Sequence, residues 1–124
     1  MMSCKVLVVD DEIFVCKELR KFLEDKGYEV LEAYDGDQAV SLYSQERPDL
    51  VLLDVRMPGK SGLETLEELK ALDPEASVIM VTAVRDSELA LQAMKEGAFE
   101  YITKPINPEY LELAIETKLT LGRG

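Results

Sequence analysis

Acidic residues follow two separate apolar runs of this sequence. Asp54 comes directly after the run 50–53, and Asp10 and Asp11 come directly after the run 4–9. A carboxylate at the end of a buried strand is costly unless a cation or a hydrogen bond compensates for it. If the two runs are neighbouring strands, the three aspartates converge on one small volume. That arrangement indicates a cation site with a carboxylate able to react with phosphate.

Two further side chains, Thr82 and Lys104, follow later apolar runs. Taken singly, Thr82 is typical of a β-branched strand residue and Lys104 of a solvated loop, and the aspartates also suit helix or loop caps. Together they indicate more, because two carboxylates about 4 Å apart repel by about 1 kcal/mol in water and about 4 kcal/mol at an intermediate dielectric. Hard oxygen ligands suit Mg²⁺, and a carboxylate nucleophile with a divalent ion, a lysine and a hydroxyl makes a phosphoryl-transfer site.

The composition bounds the class of protein. With 124 residues, 47 % hydrophobic and 31 % charged, we expect one domain over 1–124 with its core at about 4–120. The sequence shows no membrane-spanning run and no signal peptide, so we expect a cytoplasmic protein. The net charge of −11 disfavours direct contact with nucleic acid or anionic membranes.

Cysteine and histidine usage narrows the chemistry. Cys4 and Cys16 are predicted to be small buried thiols in a reducing compartment, not a disulfide or a metal site. The absence of histidine excludes a Ser-His-Asp triad, a histidine-ligated zinc site and phosphohistidine on this chain. A phosphoryl group that arrives from a histidine therefore comes from another protein.

Strands and helices are predicted to alternate along the chain. The strands are expected at 4–9, 28–33, 50–53, 78–81 and 99–102. The helices are expected at 14–26, 35–46, 62–72, 87–97 and 108–120, with Gly27 ending the first and with caps at Asp35, Ser61, Asp86 and Asn107. Five such units predict an α/β fold with a parallel sheet and helices on both faces.

The charge of the strands predicts their order. Strands 1, 3 and 4 are nearly continuous apolar runs, as central parallel strands are, whereas Glu29, Glu32 and Glu100 mark strands 2 and 5 as edges. The order 2-1-3-4-5 of a doubly wound, flavodoxin-like sheet satisfies this pattern. Ligands of such sheets bind beyond the carboxyl ends of the strands, at the switch point between strands 1 and 3.

Four motifs at four strand ends carry a family resemblance. They are Val8-Val9-Asp10-Asp11-Glu12, Asp54-Val55-Arg56-Met57-Pro58 with Gly62, Val81-Thr82-Ala83, and Tyr101-Ile102-Thr103-Lys104-Pro105. Over essentially its whole length, the chain resembles the receiver domains of two-component response regulators. The resemblance implies an aspartyl-phosphate switch that catalyses its own Mg²⁺-dependent phosphorylation and dephosphorylation, without being a turnover enzyme in the usual sense.

The resemblance also implies roles for single residues. Asp54 is expected to be the phosphoacceptor and a metal ligand, with Asp11 on Mg²⁺ directly and Asp10 mainly through a water. The backbone carbonyl of Arg56 is expected to complete the protein ligands, and Lys104 to contact a phosphoryl oxygen.

Three more expectations concern switching. The Thr82 hydroxyl is expected to follow the phosphoryl group, and Tyr101 to turn inward as Thr82 moves. Tyr101 also suits a half-buried aromatic of an edge strand. The Lys104–Pro105 peptide is expected to be cis, as is usual in the family, although X-Pro bonds in general are more often trans.

The resemblance places output on the face of helix 4, strand 5 and helix 5. On this face we expect an output domain or protein target, and a possible homodimer. Leu89 and Leu91 are expected at the flanks of helix 4, partly exposed. Spacing predicts core contacts for Ala90, Ala93, Met94 and Gly97 of helix 4 and for Tyr110, Leu111, Ala114, Ile115 and Leu119 of helix 5.

Upstream, the expected partner is a sensor histidine kinase or a histidine phosphotransfer protein, with small acyl phosphates as further donors.

Other functions fit less well. A phosphate-independent interaction module has little reason to keep three clustered carboxylates. A magnesium-dependent phosphatase of the Asp-x-Asp type needs a second acid two residues after its nucleophile, where this chain has Arg56. A flavin binder needs hydroxyl and glycine groups in the first loop, where Asp10 and Asp11 repel phosphate.

Arg56 and Val84 lie two residues after Asp54 and Thr82, and we hypothesise that they shield the acyl phosphate from water.

Overall fold

The computed structural model describes residues 4–122. The strands are β1 (Lys5–Val9), β2 (Glu29–Ala33), β3 (Leu50–Leu53), β4 (Val78–Thr82) and β5 (Glu100–Thr103). The helices are α1 (Ile13–Asp25), α2 (Gly36–Glu46), α3 (Gly62–Leu72), α4 (Ser87–Lys95) and α5 (Pro108–Leu121). Every predicted element is present, with boundaries shifted by no more than two residues.

The strands form one parallel sheet in the order β2-β1-β3-β4-β5, which confirms the predicted α/β architecture. The register pairs Val9 of β1 with Leu53 of β3. The residues that follow these two positions, Asp10 and Asp54, therefore leave the sheet side by side. On the other side of β3, the register places the end of β4 in line with β5, with Thr82 opposite Thr103.

The sheet divides the core into two layers, because successive strand residues point to opposite faces. Alternate residues such as Leu7, Val51 and Met80 pack against one set of helices, α2, α3 and α4. Their neighbours, such as Val8, Leu52 and Ile79, pack against α1 and α5. Each fully buried aliphatic side chain contributes about 1.5–3 kcal/mol relative to exposure, so the sheet that carries the aspartates is held from both sides.

The helix caps follow the local sequence. The side chains of Asp35, Ser61, Asp86 and Asn107 each accept a hydrogen bond from an amide of the first turn, as predicted. Gly27 follows the end of α1 with φ +92°, a left-handed conformation that glycine adopts without strain. Helix α1 differs, because its N-cap is Glu12 and its side chain makes no capping bond. Asp10 and Asp11 are therefore not helix caps.

Four packing expectations are wrong. Gly97 was expected in the core but is exposed, because it lies beyond the end of α4. Met94 was expected in the core but is 42 % exposed, because α4 turns only its Ala93 side fully onto the sheet. Tyr110 is 45 % exposed and its hydroxyl donates to the Glu100 carboxylate at 2.7 Å, a polar contact at the rim of the sheet. Cys4 is half-buried, whereas Cys16 is buried as expected.

Within residues 4–122, no helix is long and apolar enough to cross a bilayer.

Candidate functional site

Backbone hydrogen bonds fix the two aspartate loops at the carboxyl edge of the sheet. The amide of Asp10 donates to the Ala33 carbonyl at 3.1 Å, and the amide of Asp54 donates to the Val9 carbonyl at 3.0 Å. Each aspartate thus continues the sheet pairing by one residue before its loop begins. The two side chains are therefore carried by hydrogen-bonded backbone, which helps to preorganise the site.

The carboxylates of Asp10, Asp11 and Asp54 form an acidic pocket. One oxygen from each lies within 4.8 Å of the others. Asp10 and Asp54 are buried and Asp11 is exposed, so the pocket opens to solvent on one side. Three carboxylate oxygens without nitrogen or sulfur donors, in a half-open site with room for water, fit Mg²⁺. The predicted convergence of the three aspartates is confirmed.

One ammonium group neutralises part of this charge. Lys104 Nζ lies 2.7 Å from Asp10 Oδ2 and 3.5 Å from Asp54 Oδ2. Burial raises the pKa of the Asp10 carboxyl, and the hydrogen bond from Lys104 only partly offsets that effect. Burial alone would lower the pKa of Lys104, but the hydrogen bond to Asp10 and the charges of both aspartates outweigh it and raise that pKa. The pocket therefore holds three carboxylates and one firmly protonated lysine.

Asp10 is oriented by the residues that follow it. Its Oδ1 accepts a hydrogen bond from the Glu12 amide at 2.9 Å, which leaves Oδ2 for Lys104. The Cys16 thiol donates to the Asp10 backbone carbonyl at 3.3 Å. Burial raises the pKa of Cys16 to about 12, so this thiol stays protonated and acts as a donor. The contact was not predicted, because the sequence indicates burial of Cys16 but not its partner.

A glycine allows the Asp54 loop to close. The Gly62 amide donates to the Val55 carbonyl at 2.7 Å, and a Cβ on Gly62 would lie 2.1 Å from the Asp54 carbonyl oxygen. Any side chain at this position would displace the backbone of Asp54. Within the loop, the Arg56 amide donates to Asp54 Oδ1 at 3.3 Å, a loop-capping contact that coexists with the contact to Lys104.

Thr82 and Tyr101 meet at the loop between β4 and α4. Thr82 is fully buried, and its Oγ1 accepts a hydrogen bond from the Val84 amide at 3.2 Å. The Tyr101 hydroxyl donates to the Val84 carbonyl at 2.8 Å. Tyr101 is half-buried, and burial raises the pKa of its hydroxyl. Thr82 thus binds the backbone amide of Val84, and Tyr101 binds the backbone carbonyl of the same residue.

The site residues border one cleft of about 670 Å³. Asp11, Asp54, Thr82 and Lys104 line it together with both arginines of the flanking loops, Arg56 and Arg85. The Lys104–Pro105 peptide bond on its rim is cis. Tyr101 borders a separate depression beside the cleft. Arg85 was not singled out in the sequence, because an arginine in a polar loop carries no signal of its own until its partner is known.

The chain matches one family over most of its length. The model of the response regulator receiver domain matches residues 6–116. Protein CcdB of Bacillus subtilis (strain 168) is 44 % identical over 102 residues, which cover 82 % of this chain and 85 % of that protein. Sporulation initiation phosphotransferase F of the same strain is 34 % identical over 121 residues, 98 % of each chain.

A longer relative contains one region similar to this chain. Transcriptional regulatory protein ZraR of Salmonella typhimurium (strain LT2) is 40 % identical over 118 residues, 95 % of this chain but 27 % of that protein.

Solved structures agree with the sequence matches. A receiver domain protein (CheY-like) from Methanospirillum hungatei JF-1 superimposes with a TM-score of 0.93 at 32 % identity, covering 97 % of this chain and 96 % of that one. A chain of the CheX–CheY–BeF3–Mg²⁺ complex from Borrelia burgdorferi gives a TM-score of 0.88 at 30 % identity, covering 92 % and 87 %. With its sheet order and its acidic pocket, the chain belongs to the response regulator receiver domains.

Proposed function

We propose that this chain is a phosphorylation-controlled signalling switch that accepts a phosphoryl group on Asp54. The observation that carries the proposal is the acidic pocket, in which three carboxylates converge and the ammonium of Lys104 contacts two of them, Asp10 and Asp54. A structural ion pair has no need of this excess negative charge, which costs stability when no cation is bound. Aspartyl-phosphate chemistry needs both the carboxylate nucleophile and the cations around it.

In the proposed reaction, a carboxylate oxygen of Asp54 attacks phosphorus. The new O–P bond forms as the P–N bond to the donor's histidine breaks, and the imidazole leaves with the bonding electrons. Lys104 lies 3.5 Å from Asp54 Oδ2, close enough for its ammonium to donate to a phosphoryl oxygen held there. The Thr82 hydroxyl, which already accepts a bond from Val84, has its own proton free to donate to another phosphoryl oxygen.

The donor set fits Mg²⁺, and we propose Asp11 and Asp54 as direct ligands, Asp10 as a ligand acting through water and the Arg56 carbonyl as the remaining protein ligand. The ion would neutralise charge on the phosphoryl oxygens. Asp10 would keep Lys104 in place from the buried side of the pocket.

Regulation would run through the loop between β4 and α4. Movement of Thr82 toward a phosphoryl group would pull on Val84, whose carbonyl is held by Tyr101. We propose that phosphorylation shifts an existing equilibrium of the α4-β5-α5 face in this way. Exposed apolar side chains on α4 and α5 make this face available to an output domain, a protein target or a second copy; they are Leu91, Met94, Tyr110 and Leu113.

Upstream, the proposed donor is a sensor histidine kinase or a histidine phosphotransfer protein. The proposal takes 1–124 as a single receiver domain that works in the cytoplasm. The relative named a phosphotransferase and the receiver chain in a complex with BeF3 and Mg²⁺ support a phosphoryl-transfer role. The competing function is a phosphate-independent interaction module with the same fold.

The test is the intact mass of the protein after incubation with acetyl phosphate and Mg²⁺. We expect one phosphoryl adduct that disappears in Asp54→Asn and in the presence of EDTA. Glu29→Gln, an exposed carboxylate at the far end of β2, is the matched control and should keep the adduct. An adduct that survives in Asp54→Asn would overturn the assignment of the phosphoacceptor. If no adduct forms, failure to bind beryllofluoride with Mg²⁺ would favour the interaction module.

A further inference from the structure

Arg85 makes an unusual contact for a surface arginine of such an acidic protein. Its Nη2 donates to the backbone carbonyl of Lys104 at 3.1 Å. The chain carries 25 acidic and 14 basic residues, so an arginine has many acidic partners to choose from. Arg85 nevertheless takes part in none of the ion pairs found within 4.0 Å among residues 4–122. Its guanidinium is held by a backbone oxygen of the residue whose ammonium enters the acidic pocket.

The residues on either side of Arg85 make contacts that connect it to Tyr101 and to the first turn of α4. Val84, directly before it, is held by Thr82 and Tyr101. Asp86, directly after it, caps α4 by accepting hydrogen bonds from the Glu88 and Leu89 amides. One side-chain bond therefore connects the start of α4 to the loop that carries Lys104.

The bond from Arg85 acts together with two other hydrogen bonds that join residues 82–85 to the segment from β5 onward. These are the bond from the Lys104 amide to the Thr82 carbonyl at 2.8 Å and the bond from the Tyr101 hydroxyl to the Val84 carbonyl. Both of those bonds involve residues before Arg85. Among the hydrogen bonds of residues 4–122 that join this loop to the segment from β5 onward, the bond from Arg85 lies nearest to the N-terminus of α4.

We propose that Arg85 is a positioning residue that ties the N-terminus of α4 to Lys104 and so links the geometry of the phosphorylation site to the position of α4. This inference rests on the proposed function for its signalling consequence, but the tie itself does not depend on it. Arg85 touches no reacting atom. It restricts the backbone of Lys104, and through it the ammonium that lies 2.7 Å from Asp10.

The direct test is amide hydrogen exchange, measured by NMR, in Arg85→Ala and Arg85→Lys. The Lys104 amide donates to Thr82 and the Ala90 amide donates to Asp86. Their exchange rates therefore report on the Lys104 loop and on the start of α4. In Arg85→Ala we expect both to exchange about fivefold faster, the factor that loss of one ordinary hydrogen bond produces. Arg85→Lys keeps a charged donor and should restore most of the protection.

The matched control is Lys95→Ala, which removes one positive charge at the other end of α4. It should leave the Lys104 amide at the wild-type rate. Unchanged exchange at Lys104 and Ala90 in Arg85→Ala, or equal acceleration in Arg85→Lys, would overturn the proposal. A thermal unfolding curve for each variant shows whether faster exchange is local, because general destabilisation accelerates the buried strand amides as well.

The chemical consequence is measured as the rate of phosphorylation by acetyl phosphate at saturating Mg²⁺. Arg85→Ala should slow it about fivefold, and the loss should persist at about 1 M salt, where charges are screened beyond about 3 Å. A loss that vanishes in high salt, with unchanged exchange, would show that Arg85 only attracts the anionic donor. If the wild type takes up no phosphoryl group and binds no beryllofluoride with Mg²⁺, the proposed function fails, while the exchange data still decide the role of Arg85.

Discussion

Two of the regions of this molecule that bury a carboxylate treat its charge in opposite ways. In the Glu32 cluster, formed by Lys17, Arg20, Glu32 and Tyr34, the Glu32 side chain is 4 % exposed. It accepts hydrogen bonds from Tyr34 at 2.6 Å and Lys17 at 3.1 Å, and it contacts Arg20. Burial disfavours its ionised form, but these donors prevail and lower the pKa of Glu32 to about 2.

The acidic pocket has the reverse balance. Three carboxylates share one ammonium, and burial raises the pKa of Asp10 despite its hydrogen bond to Lys104. The Glu32 cluster is complete without a ligand and joins α1 to the edge strand β2. The acidic pocket is left with negative charge that a bound cation can neutralise. The Glu32 and Asp10 side chains are similarly shielded, at 4 % and 3 % exposure. The ratio of cations to carboxylates therefore distinguishes the structural role of the Glu32 cluster from the binding role proposed for the acidic pocket.

The largest expected difference between the two regions is chemical. Asp54→Asn should abolish phosphorylation by acetyl phosphate, because the amide is a poor nucleophile and a weaker metal ligand. Glu32→Gln should leave the phosphorylation rate close to that of the wild type, since Glu32 belongs to the outer side of α1 and β2. Intact-mass time courses measure both. Loss of phosphorylation in a folded Glu32→Gln protein would show that the two regions are coupled.

The next effect is on stability. Glu32→Gln should lower the free energy of unfolding at pH 7 by about 2 kcal/mol, the scale of hydrogen bonds to a charged group after screening of the half-exposed cations. The exposed Glu29 on the same strand makes only a long contact to Lys5 at 3.9 Å, so Glu29→Gln is the control and should change stability little. Urea unfolding measures both; equal effects would contradict a special role for the Glu32 cluster.

The same pair of variants gives a pH dependence with a defined sign. The folded-state pKa of Glu32 is about 2, below its ordinary value of 4.5. Its ionised form therefore stabilises the fold above pH 4.5, and that stabilisation is lost as the pH falls from 4.5 toward 2. The stability difference between wild type and Glu32→Gln should shrink over this range. A constant difference would mean that the contribution comes from packing rather than charge.

The acidic pocket should respond in the opposite direction to removal of a charge. In EDTA, Asp11→Asn should raise the free energy of unfolding by about 1 kcal/mol, because it relieves repulsion between exposed and partly screened carboxylates. Adding Mg²⁺ should stabilise the wild type and have a smaller effect on Asp11→Asn, since binding to the folded state alone adds stability. Thermal unfolding with and without Mg²⁺ checks both. Destabilisation by Asp11→Asn in EDTA would contradict the charge imbalance described for the pocket.

The smallest effect concerns the lifetime of the phosphoryl group. Arg56 is exposed and lines the cleft beside Asp54, and our hypothesis is that its side chain limits the approach of water. Arg56→Ala should speed loss of phosphate a few-fold without changing the adduct formed, and Val84→Ala tests the second shielding residue in the same way. Decay rates equal to that of the wild type would refute the shielding hypothesis.

The features that the sequence predicted correctly are those set over short distances along the chain. Ser61 and Glu64 form a reciprocal cap three residues apart, and Asp35 accepts from Gln38 at the same spacing, because a helix start is built from its own first turn. The apolar runs located the strands. Once the order of the strands is known, parallel pairing alone brings Asp10 and Asp54 together at one edge of the sheet.

The errors lie where helices meet the sheet. Met94 was expected in the core from its spacing, but in α4 Ala93 is buried and Met94 is exposed. Glu32 was read only as a mark of an edge strand, whereas Lys17 and Arg20 of α1 lie over it. Helix spacing states which residues share a face but not where that face comes to rest on its neighbour.

The sequence by itself therefore determined the family, the order of the elements and the three aspartates, because each depends on strand ends and local caps. Only the tertiary structure decided which partner each charge takes. Lys104 bonds Asp10 more closely than Asp54, and Arg85 bonds the Lys104 carbonyl rather than an acid. These choices depend on distances of a few ångströms between segments far apart in the chain, and Coulomb and hydrogen-bond energies change steeply over that range.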